Sequence, residues 1–136
     1  MSILTICSDT PASVPLNATV AQTIETMLTH RVGAAAIVDE HGVVAGIFTE
    51  RDIMKKVALS GQDPQTTPVR EFMSTPVLLA LENISYTEAL TTMLDNHHRH
   101  MPIVDENGRL LRILSIRNLL EKKIDVLVQE IAEARL

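Results

Sequence analysis

Apolar and polar residues follow one another along the first half of the chain in a pattern that predicts a helix and then a β-hairpin. The helix begins after Thr19, whose hydroxyl can form a capping box with Gln22. Its apolar residues recur every three or four positions and therefore share one face. They are Val20, Ile24, Met27, Leu28 and Val32. The apolar runs 34–38 and 43–48 flank the polar turn 39–42, which predicts two paired strands.

The second half of the chain repeats this order of elements, displaced by 66 residues and without a gap. Ser85 occupies the helix start that corresponds to Thr19. Across residues 19–56 and 85–122, eleven of 38 positions are identical. Ordinary composition would give about two or three identities over that length. The repeat therefore predicts two α/β units of the same fold.

A further helix is predicted at the end of each hairpin, after Thr49 in the first unit and after Ser115 in the second. The first of these is expected to run toward Leu59, and the glycine and prolines that follow it mark a linker. The first repeat with its linker then spans residues 1–66, and the second repeat spans residues 67–136. Each unit alone would leave an apolar sheet face uncovered, so the two should pack about a pseudo-twofold axis. The last helix outruns its counterpart, and its apolar end is expected to cover a partner surface.

Composition and charge narrow the class of protein. The chain is 46% hydrophobic with no Trp, one Tyr and two Phe, so aliphatic residues must build the core and disorder is excluded. A net charge of −5 disfavours nucleic acid as a partner, since neutralising phosphates needs a basic face. No apolar run approaches the roughly 18 residues of a membrane span, and the start lacks a signal peptide's basic residues. We expect a cytoplasmic protein, in which the single Cys7 is a small apolar filler and not a nucleophile.

The two strand-to-helix junctions carry the candidate chemistry. At a helix start the first N–H groups are free and the dipole is positive, which suits a phosphate. Thr49 and Asp52 place a hydroxyl and a carboxylate three residues apart at the first junction. Ser115 and Asn118 occupy the same positions at the second. The hydroxyl could meet a phosphate and the carboxylate a sugar diol, but Thr-x-x-Asp is also a helix cap that needs no ligand, so both interpretations stay open.

Three segments together resemble a tandem pair of CBS domains. They are Gly-Ile-Phe-Thr-Glu-Arg-Asp at 46–52, the two Ile-Val-Asp-Glu-x-Gly turns, and Arg-His-Met-Pro-Ile-Val-Asp at 99–105. The resemblance covers nearly the whole chain. It implies two βαββα-type repeats about a pseudo-twofold axis, with a cleft on each side, in a stand-alone regulatory module. It also implies dimerisation and an adenosine-containing ligand: AMP, ADP, ATP, NAD(H) or S-adenosylmethionine.

The resemblance also assigns residues to the two clefts. It implies that Thr49 and Ser115 meet phosphate and that Asp52 binds ribose, with Asn118 as the counterpart of Asp52. The opposite unit would complete each cleft. For the Thr49 cleft these residues are Val77, Leu78, Arg99 and His100. For the Ser115 cleft they are Pro11, Ala12, Gly33 and Ala34, none of them charged.

Two departures from the family pattern fall in the second unit. Asn118 replaces the acid, and a neutral amide offers a ribose fewer and weaker bonds than a carboxylate does. Arg112 stands where the first unit has Gly46, and its side chain could crowd or re-charge the Ser115 cleft. The sequence therefore predicts that the Thr49 cleft binds phosphate better than the Ser115 cleft.

Other functions find less support in the sequence. His97, His98 and His100 lie within one short loop, from which three converging metal ligands are rare, so no metal site is expected. No Gly-rich phosphate loop or nucleophile with a positioned base is present, so we expect neither an enzyme nor a catalytic cofactor. The sequence favours an adenine-nucleotide sensor that acts through a homodimer or an effector protein. The alternative is a ligand-free CBS pair that serves as a dimerisation or protein-interaction scaffold.

Overall fold

The computed structural model describes residues 2–7 and 10–135 and contains two units of the same architecture. The first unit comprises β1 (Ser13–Pro15), α1 (Val20–His30), β2 (Ala34–Val38), β3 (Val44–Thr49) and α2 (Glu50–Asp52). The second comprises β4 (Ala80–Leu81), α3 (Tyr86–Asp95), β5 (His100–Val104), β6 (Leu110–Ser115) and α4 (Ile116–Ala134). In each three-stranded sheet the first strand runs parallel to the second, and the second antiparallel to the third. The predicted α/β fold of two βαββα repeats is thus confirmed.

The helices begin where the sequence predicts. Reciprocal capping boxes form at Thr19, Thr49 and Ser115, in which the hydroxyl accepts a backbone N–H and the side chain three residues later accepts the cap's own N–H. Ser85 also caps its helix, since its hydroxyl accepts from the N–H of Glu88. These local bonds satisfy N–H groups that would otherwise be unpaired at a helix start.

The two hairpin turns join the units to each other. Gly42 and Gly108 adopt φ of 82° and 80°, a left-handed conformation that favours glycine. The N–H of Val44 donates to Gly108 O at 3.1 Å, and the N–H of Leu110 donates to Gly42 O at 3.1 Å. The two bonds join equivalent positions of the two repeats in opposite directions, as expected for units that are related by a pseudo-twofold axis.

Each unit has its own hydrophobic core, but the cores exchange short segments. Ile3 and Cys7 pack in the core of the second unit, whereas Val69 packs in the core of the first. Ile3 and Val69 begin the 3₁₀ turns Ile3–Thr5 and Val69–Glu71, which are related by the same 66-residue offset. Separating the units would therefore expose apolar residues of both cores. Each of the two predicted repeats, residues 1–66 and residues 67–136, contributes a short segment to the hydrophobic core of the other unit.

The helix after Thr49 differs from the sequence prediction. Only Glu50–Asp52 is α-helical, and the chain continues as a π-helix over Ile53–Val57, closed by the N–H of Ala58 on Ile53 O at 2.9 Å. With this wider turn Val57 packs in the first core. Leu59 lies beyond the helix and is 99% exposed.

Within residues 2–7 and 10–135, no helix is both long enough and sufficiently apolar to cross a membrane.

Candidate functional site

A cavity of about 320 Å³ lies between the two units at the start of α4. Both units contribute to its walls. All six residues predicted for the Ser115 cleft line it: Pro11, Ala12, Gly33, Ala34, Ser115 and Asn118. The fold thus brings together residues that are separated by up to about a hundred positions along the chain.

The start of α4 supplies the polar wall of this cavity. Ser115 Oγ accepts from the N–H of Asn118 at 3.0 Å, and Asn118 Oδ1 accepts from the N–H of Ser115 at 3.1 Å. The N–H of Ile116 donates to Arg99 O at 2.8 Å. The cap uses one of the two acceptor positions of Asn118 Oδ1, and the side chain can also offer a ligand its NH₂ donor.

Two arginines that the sequence analysis did not assign to a cleft also line the cavity. Arg31 ends α1 in the left-handed conformation with φ of 55°, two residues before Gly33. Arg117 lies in the first turn of α4, where its Nε donates to Glu121 Oε1 at 2.9 Å. The residues predicted for this cleft carry no charge, but the fold adds two guanidinium groups and the carboxylate of Glu121, which pairs with Arg117. The guanidinium group of Arg31 and the remaining N–H groups of Arg117 suit an anionic ligand. Their proximity in sequence to Gly33 and Ser115 was the available signal.

His100 lines the same cavity, although the resemblance assigned it to the other cleft. It lies near the contact between the units, since a Cβ added to Gly33 would be 3.4 Å from its Cε1. Burial lowers the pKa of His100 below its ordinary value, the Glu50 carboxylate opposes that shift, and the Arg99 charge reinforces it. The imidazole therefore faces the cavity in its neutral form at pH 7, as a hydrogen-bonding group without charge.

The first cleft is occupied by the protein's own chain. Asp52 is 5% exposed, and its carboxylate already accepts three hydrogen bonds and forms one ion pair. Oδ2 accepts from Thr49 N at 2.9 Å and Thr49 Oγ1 at 3.2 Å. Oδ1 accepts from Ser74 Oγ at 3.0 Å and forms an ion pair with Lys56 Nζ at 3.1 Å. A carboxylate has about four acceptor positions, so most of them are in use.

The segment that holds Asp52 also covers the neighbouring strand. Ser74 and Ile47 exchange backbone bonds of 3.1 and 2.8 Å, which adds residue 74 to the edge of β3. Met73 lies directly over Gly46, where a Cβ would come within 2.8 Å of Met73 Cγ and closer still to Sδ. Gly46 is therefore required by close packing of the chain on itself.

Val77, Leu78 and Arg99, which were also predicted for the Thr49 cleft, are not part of the cavity at Ser115. Leu78 packs against the second core, Val77 is half-buried and Arg99 is exposed. None of these three lines the cavity at Ser115, nor do Thr49 and Asp52.

The histidine-rich loop gathers no metal site within residues 2–7 and 10–135, where no group of three or more His, Cys, Asp or Glu side chains is arranged to hold an ion.

Two α/β units with swapped core segments, joined at their hairpins and enclosing a cavity at a helix start, define a tandem-repeat module. A CBS domain profile matches residues 3–59 and 69–125. The chain belongs to the CBS domain family and contains two CBS domains, a CBS pair.

The chain is similar to several known proteins. This chain is 40% identical over 110 residues to an uncharacterized 17.7 kDa protein of Acidianus ambivalens. The aligned region covers 81% of this chain and 65% of that protein's length. A CBS-domain containing protein of Agrobacterium tumefaciens superposes with a TM-score of 0.78 at 28% identity, over 90% of this chain and 99% of the other. A CBS domain protein of Pyrobaculum aerophilum, complexed with AMP, superposes with a TM-score of 0.77 at 26% identity, over 87% and 89%.

Proposed function

We propose that the chain is an adenine-nucleotide-binding regulatory module that holds its ligand in the cavity at Ser115. The observation that carries the proposal is the cavity itself, which combines a helix start, two arginines and residues of both units. A volume of about 320 Å³ is at the lower end of the range for small-molecule sites, roughly 300–1,000 Å³. The AMP complex of the similar Pyrobaculum protein supports an adenosine ligand.

Each group in the cavity has a role in this proposal. Ser115 and the positive end of the α4 dipole bind the phosphate, with help from the guanidinium groups of Arg31 and Arg117. The NH₂ of Asn118 donates to a ribose oxygen. The apolar wall at Pro11 and Ala12 receives the adenine.

The Thr49 cleft stays a second proposed site, but side chains of the protein already contact the Asp52 carboxylate there. A ribose could bind Asp52 only by displacing the side chains of Lys56 and Ser74 from its carboxylate. Displacement costs existing hydrogen bonds, whereas the Ser115 cavity is already open. We therefore infer the opposite order of affinity from that predicted by the sequence, with the Ser115 cavity filled first.

Titration calorimetry of AMP, ADP, ATP, NAD(H) and S-adenosylmethionine tests the proposal. Arg117→Ala and Asn118→Ala should weaken the binding of the preferred nucleotide. Because the Arg117 side chain is 85% exposed and paired with Glu121, solvent screening limits its contribution to about 1 kcal/mol, which corresponds to roughly fivefold for Arg117→Ala. Arg51→Ala is the matched control, because Arg51 is the exposed counterpart of Arg117 at the other junction. An equal loss in Arg51→Ala would overturn the assignment to the Ser115 cavity.

A scaffold without a ligand is the second candidate, and a separate observation favours it. Large apolar side chains are exposed on α1, α3 and α4, as on a surface that binds protein. We accordingly propose a second copy of the chain and an effector protein as partners. The proposed location is the cytoplasm, and neither nucleic acid nor a membrane is a proposed partner.

A ligand at 100 times its dissociation constant should stabilise the fold by about 2.7 kcal/mol. If no adenosine compound raises the melting temperature, the scaffold is favoured.

A further inference from the structure

The exposed face of α4 carries apolar residues at a strict heptad spacing. Large apolar side chains recur at alternating intervals of four, three and four residues, and a final alanine continues the series. These residues are Leu120, Ile124, Leu127, Ile131 and Ala134. The four large ones are 43–58% exposed. An alternation of three and four is the pattern of a coiled-coil seam.

The protein's own chain does not cover this end of α4. The helical segment of the first unit ends at Val57, which the 66-residue offset places at Lys123, but α4 continues to Ala134. Every residue from 127 to 135 is exposed. A helical extension of this length is marginal in water by itself, since isolated helices need at least about 12–15 residues. Covering its apolar face would stabilise it.

The residue types in the heptad select a kind of partner. With Ile124 and Ile131 at position a, Leu120 and Leu127 fall at position d. Isoleucine at a with leucine at d favours two parallel strands over larger bundles. Val128, which is 60% exposed at position e, widens the same apolar face.

The charges beside the seam fit a second copy in the same direction. Glu130 falls at position g and Arg135 at the following position e. In a parallel pair these positions lie next to each other across the seam, so each Glu130 meets an Arg135 of opposite charge. Gln129 and Glu133 fall at positions f and c, which face away from the seam.

We propose that α4 pairs in parallel with α4 of a second copy, so that the dimer joins second unit to second unit. The α2 segment is a poorer match for α4, because its exposed large apolar residue is Met54 and the next, Leu59, lies beyond the helix. This inference specifies the geometry of the proposed homodimer and does not depend on nucleotide binding.

Disulfide trapping tests the direction of the pair. In a Cys7→Ala background, the cysteine of Leu120→Cys and that of Leu127→Cys should each form a disulfide with the same residue of the second copy under mild oxidation. The reason is that d positions of parallel helices approach to roughly 6 Å between Cα atoms, which is within disulfide reach. Glu133→Cys is the control and should stay uncross-linked. An antiparallel pair would instead cross-link a mixture of Leu120→Cys and Ile131→Cys chains, and that result would overturn the proposal. Absence of cross-linking at both d positions would overturn it as well.

Sedimentation separates this proposal from that of nucleotide binding. The 15.0 kDa chain should sediment as a dimer, and Leu127→Asp with Ile131→Asp should convert it to a monomer, whereas Gln129→Asp should not. Glu130→Arg should weaken the dimer, and adding Arg135→Glu should restore it. A dimer unaffected by the aspartates would refute the seam. Calorimetry with AMP on the monomeric variant reports independently on the cavity, so either proposal can fail alone.

Discussion

Replacing Asp52 with alanine should reduce the stability of the fold more than its affinity for a nucleotide. The carboxylate is buried and bonded to Thr49, Ser74 and Lys56. A charge-assisted hydrogen bond contributes about 1.5–3 kcal/mol, and a lost helix cap costs about 1 kcal/mol. Lys56 is 40% exposed, so its ion pair adds little after solvent screening. We expect the free energy of unfolding to fall by about 2–4 kcal/mol.

Urea unfolding followed by far-ultraviolet circular dichroism measures this loss. With a slope of about 1–3 kcal/mol per molar urea, the midpoint should fall by roughly 1–2 M. Asn118→Ala is the matched variant at the other junction, where only the cap is lost, and it should cost about 0.5–2 kcal/mol. An unchanged midpoint in Asp52→Ala, accompanied by weaker nucleotide binding, would refute the reasoning, because the carboxylate would then serve a ligand and not the fold.

Three further results are expected. Because burial depresses the pKa of His100, the unfolded chain takes up its proton first; stability should therefore fall as pH drops through 6.5 and below, and His100→Gln should flatten that dependence in urea titrations. Gly46→Ala should lower the urea midpoint by the equivalent of about 1–3 kcal/mol, since Met73 must move away; an unchanged midpoint would contradict the close contact. Burial raises the pKa of Cys7 to about 11, so a thiol reagent at pH 8 should label it slowly in the native protein and rapidly in urea; rapid native labelling would contradict its burial.

Features that depend on neighbours in the chain were predictable from the sequence. The capping boxes at Thr19, Thr49 and Ser115 join residues three apart, and the hairpin turns depend on a glycine at a fixed place. The repeat itself is a comparison of the chain with its own other half. Each of these patterns is decided within a few residues, so periodicity and turn chemistry suffice.

The state of the two clefts was not predictable in the same way. Asp52 finds its partner Ser74 22 residues away, and Met73 covers Gly46 from the same segment. Nothing in the Thr-x-x-Asp pattern shows whether the carboxylate is free or already bonded. Likewise Arg31 reaches the second cavity because α1 ends in a left-handed residue, a conformation that is uncommon outside glycine. Long-range packing therefore determined which cleft is open.

The position of α4 links the two proposals. Its first turn forms a wall of the cavity through Ser115 and Asn118, and its last turns form the proposed seam through Leu127 and Ile131. A helix transmits displacement between its ends because its backbone bonds are short and continuous, and Leu119 fixes α4 to the second core between them. If nucleotide binding shifts the first turn, the free energy of that shift must also appear in dimerisation. Binding linkage is reciprocal, and a dimer has two cavities. The factor by which saturating nucleotide changes the dimer dissociation constant would then equal the square of the ratio of nucleotide affinities between the native dimer and a monomeric α4 variant.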